Sequence, residues 1–259
     1  MNQSEKRLFL IQSLLKEKTE YRDIDIPAEP ESQRQLLRGL MNLRAPQHAE
    51  ADFLQMQDAY LQGETAAKGI TNAADLAPVQ PGLYLWQGDI TTLQCDAIVN
   101  AANSGMTGCY VPNHRCIDNA IHTFAGVELR LACAELMEPQ DYPEPTGRAK
   151  ITPAFNLPCR YVLHTVGPII SGRVTKADKE LLASCYRSCL ELAVENGLES
   201  VAFCCISTGE FYFPNEQAAE IAVETVKQFM NRKTSVKKVI FNVFKDLDKE
   251  IYARLLGAN

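Results

Sequence analysis

The stretch Val99-Asn100-Ala101-Ala102-Asn103 decides how this chain is read. It closes the apolar run 97–100, whose Ile and Val suit a buried strand, and then breaks into a polar loop. Read outward, the same order recurs: a short run rich in Val, Ile, Phe or Tyr, a polar loop, then a helical pattern. Runs 83–87, 161–166, 201–206 and 239–243 are the other strand candidates, and helical patterns lie around 117–137, 178–196, 215–231 and 247–256. This alternation predicts an α/β fold in which helices cover both faces of a largely parallel sheet. Ligands in such folds gather at the carboxyl ends of the strands. Three loops qualify: Gly88-Asp89-Ile90-Thr91, the segment following Asn103, and Ile206-Ser207-Thr208-Gly209-Glu210-Phe211-Tyr212-Phe213-Pro214. A polar loop rich in backbone donors ahead of a helix suits an anion.

Upstream of the alternating region the pattern is helical throughout. Leu8, Ile11, Leu14 and Leu15 recur at helical spacing, as do Leu36, Leu37, Leu40 and Leu43. A third helix is expected to begin near Ala49 and to carry Phe53, Met56, Tyr60 and Leu61. Pro27, Pro30 and Pro46 separate the three. Residues 63–82 are small and polar and read as a linker. The expected division is therefore an N-terminal helical extension with its linker over 1–80, and an α/β domain over 81–259. Residues 138–147, with three prolines, read as a surface loop.

Bulk composition narrows the function. With 46% hydrophobic and 22% charged residues over 259 positions, the chain is able to form a packed core. A net charge of −6 argues against a nucleic-acid partner, which requires a basic face. No apolar run approaches the ~20 residues that span a bilayer, so no membrane partner is expected. The N-terminus lacks the pattern of a signal peptide, and nine cysteines without one suggest a reducing cytoplasm. Cys204 and Cys205 lie in an apolar run and Cys185 and Cys189 share a helical face, so these read as core residues. A monomer is expected.

Taken together, the segments GDIT (88–91), VNAAN (99–103), CIDNAIHTFAG (116–126) and ISTGEFYFP (206–214) closely resemble the macrodomain family over about two-thirds of the chain. The resemblance implies a three-layer α/β/α fold that binds ADP-ribose. By position, Asp89 would accept a hydrogen bond from the adenine amino group, with the Ile90 backbone beside it, and Phe244 would stack on the base. Ser207, Thr208, Gly209, Glu210 and Phe211 would wrap the diphosphate. Asn103 would hold the distal ribose, beside the segment Cys116, Ile117, Asp118 and Asn119. On the residues alone, Asp89 also suits a turn and Phe244 a core position.

The second loop departs from the usual family pattern. Cys109, His114 and Cys116 are spaced C-x4-H-x-C within eight residues. Thiolate and imidazole are preferred zinc ligands, and three protein ligands with an open position is a catalytic arrangement. The pattern resembles a zinc-containing, sirtuin-associated subclass of microbial macrodomains that also carries an N-terminal helical extension. The resemblance implies Zn2+ as cofactor and an ADP-ribosylated protein as substrate, released at an aspartate or glutamate ester. Asp118 would handle the attacking water and Asn103 would fix the ribose. Two other readings remain open: a non-catalytic ADP-ribose reader with a structural zinc, and a deacetylase of O-acyl-ADP-ribose. His122 and His164 read as structural.

Overall fold

The computed structural model describes residues 1–258. The chain opens with α1 (Gln3–Lys16), whose first turn is closed by a capping box between Asn2 and Glu5. Helix α2 (Pro30–Leu43) starts on a proline, where the missing N–H costs nothing. Helix α3 (Ala51–Lys68) completes the extension. Leu10, Ile11 and Leu14 of α1 meet Leu37 and Leu40 of α2 and Phe53, Tyr60 and Leu61 of α3 in one apolar cluster. Val127, far downstream, belongs to the same cluster, so the extension is packed onto the rest of the chain.

After short strand β1 (Thr71–Asn72) come β2 (Leu83–Gln87), β3 (Leu93–Gln94) and β4 (Ala97–Ala102). Helices α4 (Ile117–Ala125) and α5 (Val127–Met137) lead to β5 (Ala149–Pro153) and β6 (Tyr161–Val166). Then α6 (Lys176–Glu195), β7 (Ser200–Phe203), α7 (Asn215–Met230), β8 (Lys238–Val243) and α8 (Asp246–Leu256) alternate. The main sheet has the order β2-β8-β7-β4-β6-β5, parallel except for edge strand β5, which runs antiparallel to β6. Helices α6, α7 and α8 pack side by side, while α4 and α5 pack together with α2 and α3 against α4. The result is the three-layer α/β/α architecture, with its mixed, mainly parallel sheet and N-terminal helices.

Several boundaries differ from the sequence reading. Helix α3 continues through Gly63 to Lys68, into the expected linker, because Glu64, Ala66, Ala67 and Lys68 are strong helix formers that outweigh one glycine. Short strand β1 lies in the same expected linker and pairs with β3. The single helical stretch 117–137 is two helices. Gly126 between them has φ +100, and a Cβ there would lie 2.6 Å from Gln57, whose Oε1 accepts the Val127 N–H at 2.8 Å. Strand β7 stops at Phe203, three residues short of expectation. Strand β5, which alternates weakly in the sequence, was not anticipated.

His164 sits inside β6 with no exposed surface. Asn100 Nδ2 donates to its Nδ1 at 3.2 Å, so Nε2 carries the proton and faces Thr152 Oγ1 at 2.9 Å. Burial lowers its pKa to about 3. The unfolded chain, with a histidine pKa near ~6.5, therefore takes up this proton first. Stability from this residue is complete above about pH 6.5 and is lost as pH falls, by at most ~1.4 kcal/mol per pH unit. Denaturant titrations from pH 7 to pH 5 should show the wild type losing stability faster than His164→Gln by about that slope. Parallel curves for the two proteins would contradict a neutral buried imidazole.

Candidate functional site

Because β2, β8, β7 and β4 are consecutive in the sheet, the loops that follow them lie side by side at one end. After β2, Asp89 caps the turn Ile90–Thr92: its Oδ1 accepts from Thr91 N at 3.0 Å and Thr91 Oγ1 at 2.6 Å. Its Oδ2 meets Lys68 Nζ at 3.0 Å. Burial pushes the Asp89 pKa up, but the hydrogen bonds from Thr91 and Lys68 outweigh it and hold the carboxyl below its ordinary range. The Ile90 side chain is in the core, so any ligand contact at this residue would have to come through its backbone. Phe244 directly follows β8, and 75% of its surface is exposed. A ring this exposed, at the end of the strand next to β2, is not a core residue.

The loop after β7 turns through a left-handed Ser207, φ +65, and a left-handed Tyr212, φ +57. Phe213 N–H bonds back to Ser207 O at 2.9 Å and Tyr212 N–H to Gly209 O at 3.1 Å. Among the described residues, nothing in the protein accepts from the N–H groups of Gly209, Glu210 or Phe211. These clustered donors form an anion-binding concavity. Thr208 differs: its N–H and hydroxyl both fold back onto Cys205 O, at 3.4 and 3.0 Å, because the left-handed Ser207 tightens the turn. Ser207 Oγ is buried without a partner, an orphaned polar atom within the same loop.

After β4, Asn103 Nδ2 donates to Gly108 O at 3.0 Å and to Asp118 Oδ2 at 3.2 Å. Asn100 Nδ2 holds the other oxygen of Asp118 at 2.8 Å. Asp118 is buried behind the two asparagines, and that burial raises its pKa to about 6 against their hydrogen bonds. In this conformation Asp118 orients Asn103 and does not itself face solvent. Gly108 has φ +83, and a Cβ there would lie 2.7 Å from the His122 ring, so only glycine lets the loop turn this closely over α4.

From Gly108 the chain enters the loop with the thiols. One donor atom each of Cys109, His114 and Cys116 lies within 4.8 Å of the others, with Cys109 Sγ 3.5 Å from His114 Nδ1. Cys116 also caps α4, its Sγ accepting from Asn119 N at 3.4 Å. Burial pushes the Cys116 thiol to about 12, and the neighbouring Cys109 and Asp118 add to the shift. Two sulfurs and one imidazole nitrogen, convergent and half-buried, fit a zinc ion. Glu210 Oε1 lies 3.6 Å from His114 Nε2, so this loop and the one after β7 touch.

A second group, His122, Cys133 and His164, is equally close-set but wholly buried. It does not suit a cation. Both His164 nitrogens are engaged by Asn100 and Thr152, burial raises the Cys133 thiol to about 12, and Arg130 lowers the His122 pKa after burial and His164. Neither His122 nitrogen has a hydrogen-bond partner in the protein. Its ring borders a cavity of ≈10 Å³ at the seam with the extension, room for about one water.

The extension reaches this site, which sequence reasoning did not anticipate. Arg38 of α2 donates to Asn119 Oδ1 at 3.1 and 2.7 Å and to His114 O at 2.9 Å. Asn119 Nδ2 donates to Val111 O at 3.0 Å, so the Asn119 side chain ties the loop between Cys109 and Cys116 to α4. Asn42 Oδ1 accepts from Asn113 N at 3.0 Å, holding the left-handed Asn113 in place. Arg130 of α5 donates to Met41, Asn42 and Arg44 carbonyls at 3.2, 2.6 and 2.6 Å, and to Thr107 and Cys109 carbonyls at 2.8 and 3.4 Å. The available signal was a pair of polar residues, Arg38 and Asn42, four apart amid Leu37, Leu40 and Met41.

The fold and these loops define a three-layer α/β/α protein that offers backbone donors, an exposed aromatic ring and a carboxylate along its strand ends. That is the layout of a phosphate-bearing nucleotide site. The Macro domain family matches residues 99–222. A protein from Treponema medium named Protein-ADP-ribose hydrolase is 58% identical, covering 99% of this chain and 100% of its own length. One of the same name from Staphylococcus aureus is 47% identical over 94% of this chain and 92% of its own. The Trypanosoma brucei macrodomain solved in complex with ADP-ribose superposes with a TM-score of 0.66 at 30% identity, covering 85% of this chain and 95% of that one. A mutant Oceanobacillus iheyensis macrodomain with ADPR gives 0.64 at 38%, covering 70% and 96%. The chain belongs to the macrodomain family.

The Arg130 geometry has a measurable consequence. Arg130→Met leaves five carbonyl partners without their donor at a buried seam, at a cost of about 3 kcal/mol or more. Limited proteolysis should then cut the 40–50 segment faster, and Arg130→Lys, with three donors instead of five, should fall between. Wild-type melting and cleavage in Arg130→Met would refute the role assigned to this side chain.

Proposed function

We propose that this macrodomain hydrolyses ADP-ribose from modified proteins at aspartate or glutamate esters, with a zinc ion held by Cys109, His114 and Cys116. The hydrolase activity is supported by near full-length relatives bearing that name. The single observation that carries the finer reading is the order of loops along the sheet. Asp89, Phe244, the 207–211 loop and Asn103 follow β2, β8, β7 and β4 in spatial sequence, and the last of these abuts the Cys-His-Cys group.

In this reading adenine lies between Asp89 and Phe244. The carboxylate accepts from the amino group, the Ile90 N–H lies beside it, and the ring stacks, a contact worth roughly 1–3 kcal/mol. The diphosphate sits over the N–H groups of Gly209, Glu210 and Phe211, where fixed backbone dipoles accommodate it on an acidic protein. Asn103 binds hydroxyls of the distal ribose, which the adjoining 116–118 segment borders. Zinc, when bound by the three ligands, supplies Lewis-acid polarisation of an oxygen brought against it or a lowered pKa for a bound water. Asp118, reached through movement of the loop around Asn103, orients the attacking water and accepts its proton. Water adds across the ester, releasing ADP-ribose and the free carboxylate side chain. The carboxylate is a good leaving group, so this linkage needs no dedicated acid.

ADP-ribose should bind with micromolar affinity, on the order of −8 kcal/mol, and both Asp89→Ala and Phe244→Ala should weaken it in calorimetry. Unchanged affinity in both would place adenine elsewhere.

Binding and turnover should separate at the metal loop. Protein purified without chelator should contain one zinc per chain by elemental analysis. Cys109→Ala, His114→Ala and Cys116→Ala should lower hydrolysis of a carboxylate-linked ADP-ribosyl protein by roughly 100-fold or more, and Asp118→Asn by a similar factor. ADP-ribose affinity should fall far less, with circular dichroism as control for folding. Folded ligand variants that turn over at the wild-type rate would make the metal structural. A wild type that releases nothing from any linkage would leave a reader module.

A further inference from the structure

We propose that Lys68, the last residue of the N-terminal extension's α3, is a positioning residue of the nucleobase subsite, holding Asp89 so that one acceptor direction stays open to an amino group. The inference rests on the assignment of Asp89 to adenine above. It extends the site beyond the family's α/β region to a side chain supplied by the helices that precede it.

The geometry is specific. Lys68 Nζ lies 3.0 Å from Asp89 Oδ2 and 3.3 Å from the centre of the Phe124 ring on α4. The ammonium is thus fixed from two sides, by a carboxylate and by an aromatic face. It also sits at the carboxyl end of α3, where the helix dipole favours a cation. Thr91 supplies two further donors, both to Oδ1. An ionised carboxylate offers about four acceptor directions, and here three are taken by the protein. The remaining direction is on Oδ2, and the pair is open to solvent: the side chains of Lys68 and Asp89 retain 35% and 38% of their surface. A purine amino group approaching beside Phe244 meets an oriented acceptor.

A partly exposed ion pair contributes little to stability, typically about 0–1 kcal/mol, so folding alone does not call for one that spans the extension and the sheet. Its effect on a ligand is larger in principle. Without Lys68 the Asp89 side chain keeps only its Thr91 contacts through Oδ1, and Oδ2 rotates toward solvent. The extension would then act on nucleotide recognition directly, in addition to bracing the Cys109–Cys116 loop through Arg38 and Asn42.

The test is calorimetry on the full chain with two probes: ADP-ribose, and a diphosphoribose lacking the base. Lys68→Met should weaken ADP-ribose binding roughly 3- to 10-fold and leave the base-free probe unaffected, whereas Lys68→Arg should restore most of the loss. In the Asp89→Ala background, Lys68→Met should add nothing, since its partner is gone. If Asp89→Ala weakens ADP-ribose binding and Lys68→Met does not, the proposal is overturned while the adenine assignment stands. If Asp89→Ala has no effect either, the assignment itself fails. Equal weakening of both probes by Lys68→Met would also overturn it, showing a charge acting on the diphosphate instead.

Discussion

Arg130 places a guanidinium, almost without exposed surface, between the Thr107 and Cys109 carbonyls and three at the end of α2, 88 residues earlier in the chain at Asn42. Removing such a group from water is costly unless its donors are met. Here each of its three nitrogens is met by carbonyl oxygens, and Tyr110 covers it with its ring centre 4.2 Å away. The carbonyls at the α2 terminus are those a helix leaves unpaired at its negative end, so the cation answers both the orphaned acceptors and the helix dipole. One side chain thereby joins the end of the extension to the loop leading into Cys109.

The rest of the site is organised around that seam. Arg38 and Asn42 brace the loop from the α2 side, through His114 O, Asn119 and Asn113, and Gly108 lets it turn tightly over His122. Cys109 and His114 lie on this braced loop and Cys116 at the start of α4, so their approach depends on contacts far from them in sequence. The loops after β2, β8 and β7 are held differently, by the sheet itself. Their spacing follows from adjacent parallel strands, which is why the carboxylate, the exposed ring and the free N–H groups fall in a row.

Charge is distributed consistently with this division. A chain of net charge −6 gathers few cations at the strand ends and uses backbone dipoles there instead. Three of the cations around them, Lys68 of α3, Arg38 of α2 and Arg130 of α5, contact carboxylate, amide and carbonyl oxygens. No helix among the described residues is long and apolar enough to cross a membrane.

Sequence by itself determined the alternation of strand and helix, the loops that carry chemistry and the C-x4-H-x-C spacing. These are local properties: β-branched runs, helical periodicity and close-set ligands are written in consecutive residues. It placed α3 too short, read α4 and α5 as one stretch and missed β5, because helix formers beyond a glycine, a left-handed Gly126 and a weakly patterned edge strand are decided by what packs against them. It could not show that Asn119 faces the scaffold, that Asp118 lies behind Asn103, or that Lys68 meets Asp89. Those facts depend on partners separated by up to 81 residues, as for Arg38 and Asn119. A polar residue on an amphipathic helix looks the same in sequence whether it ends in water or in a site. Only the packing of the extension against α4 and α5 decides which.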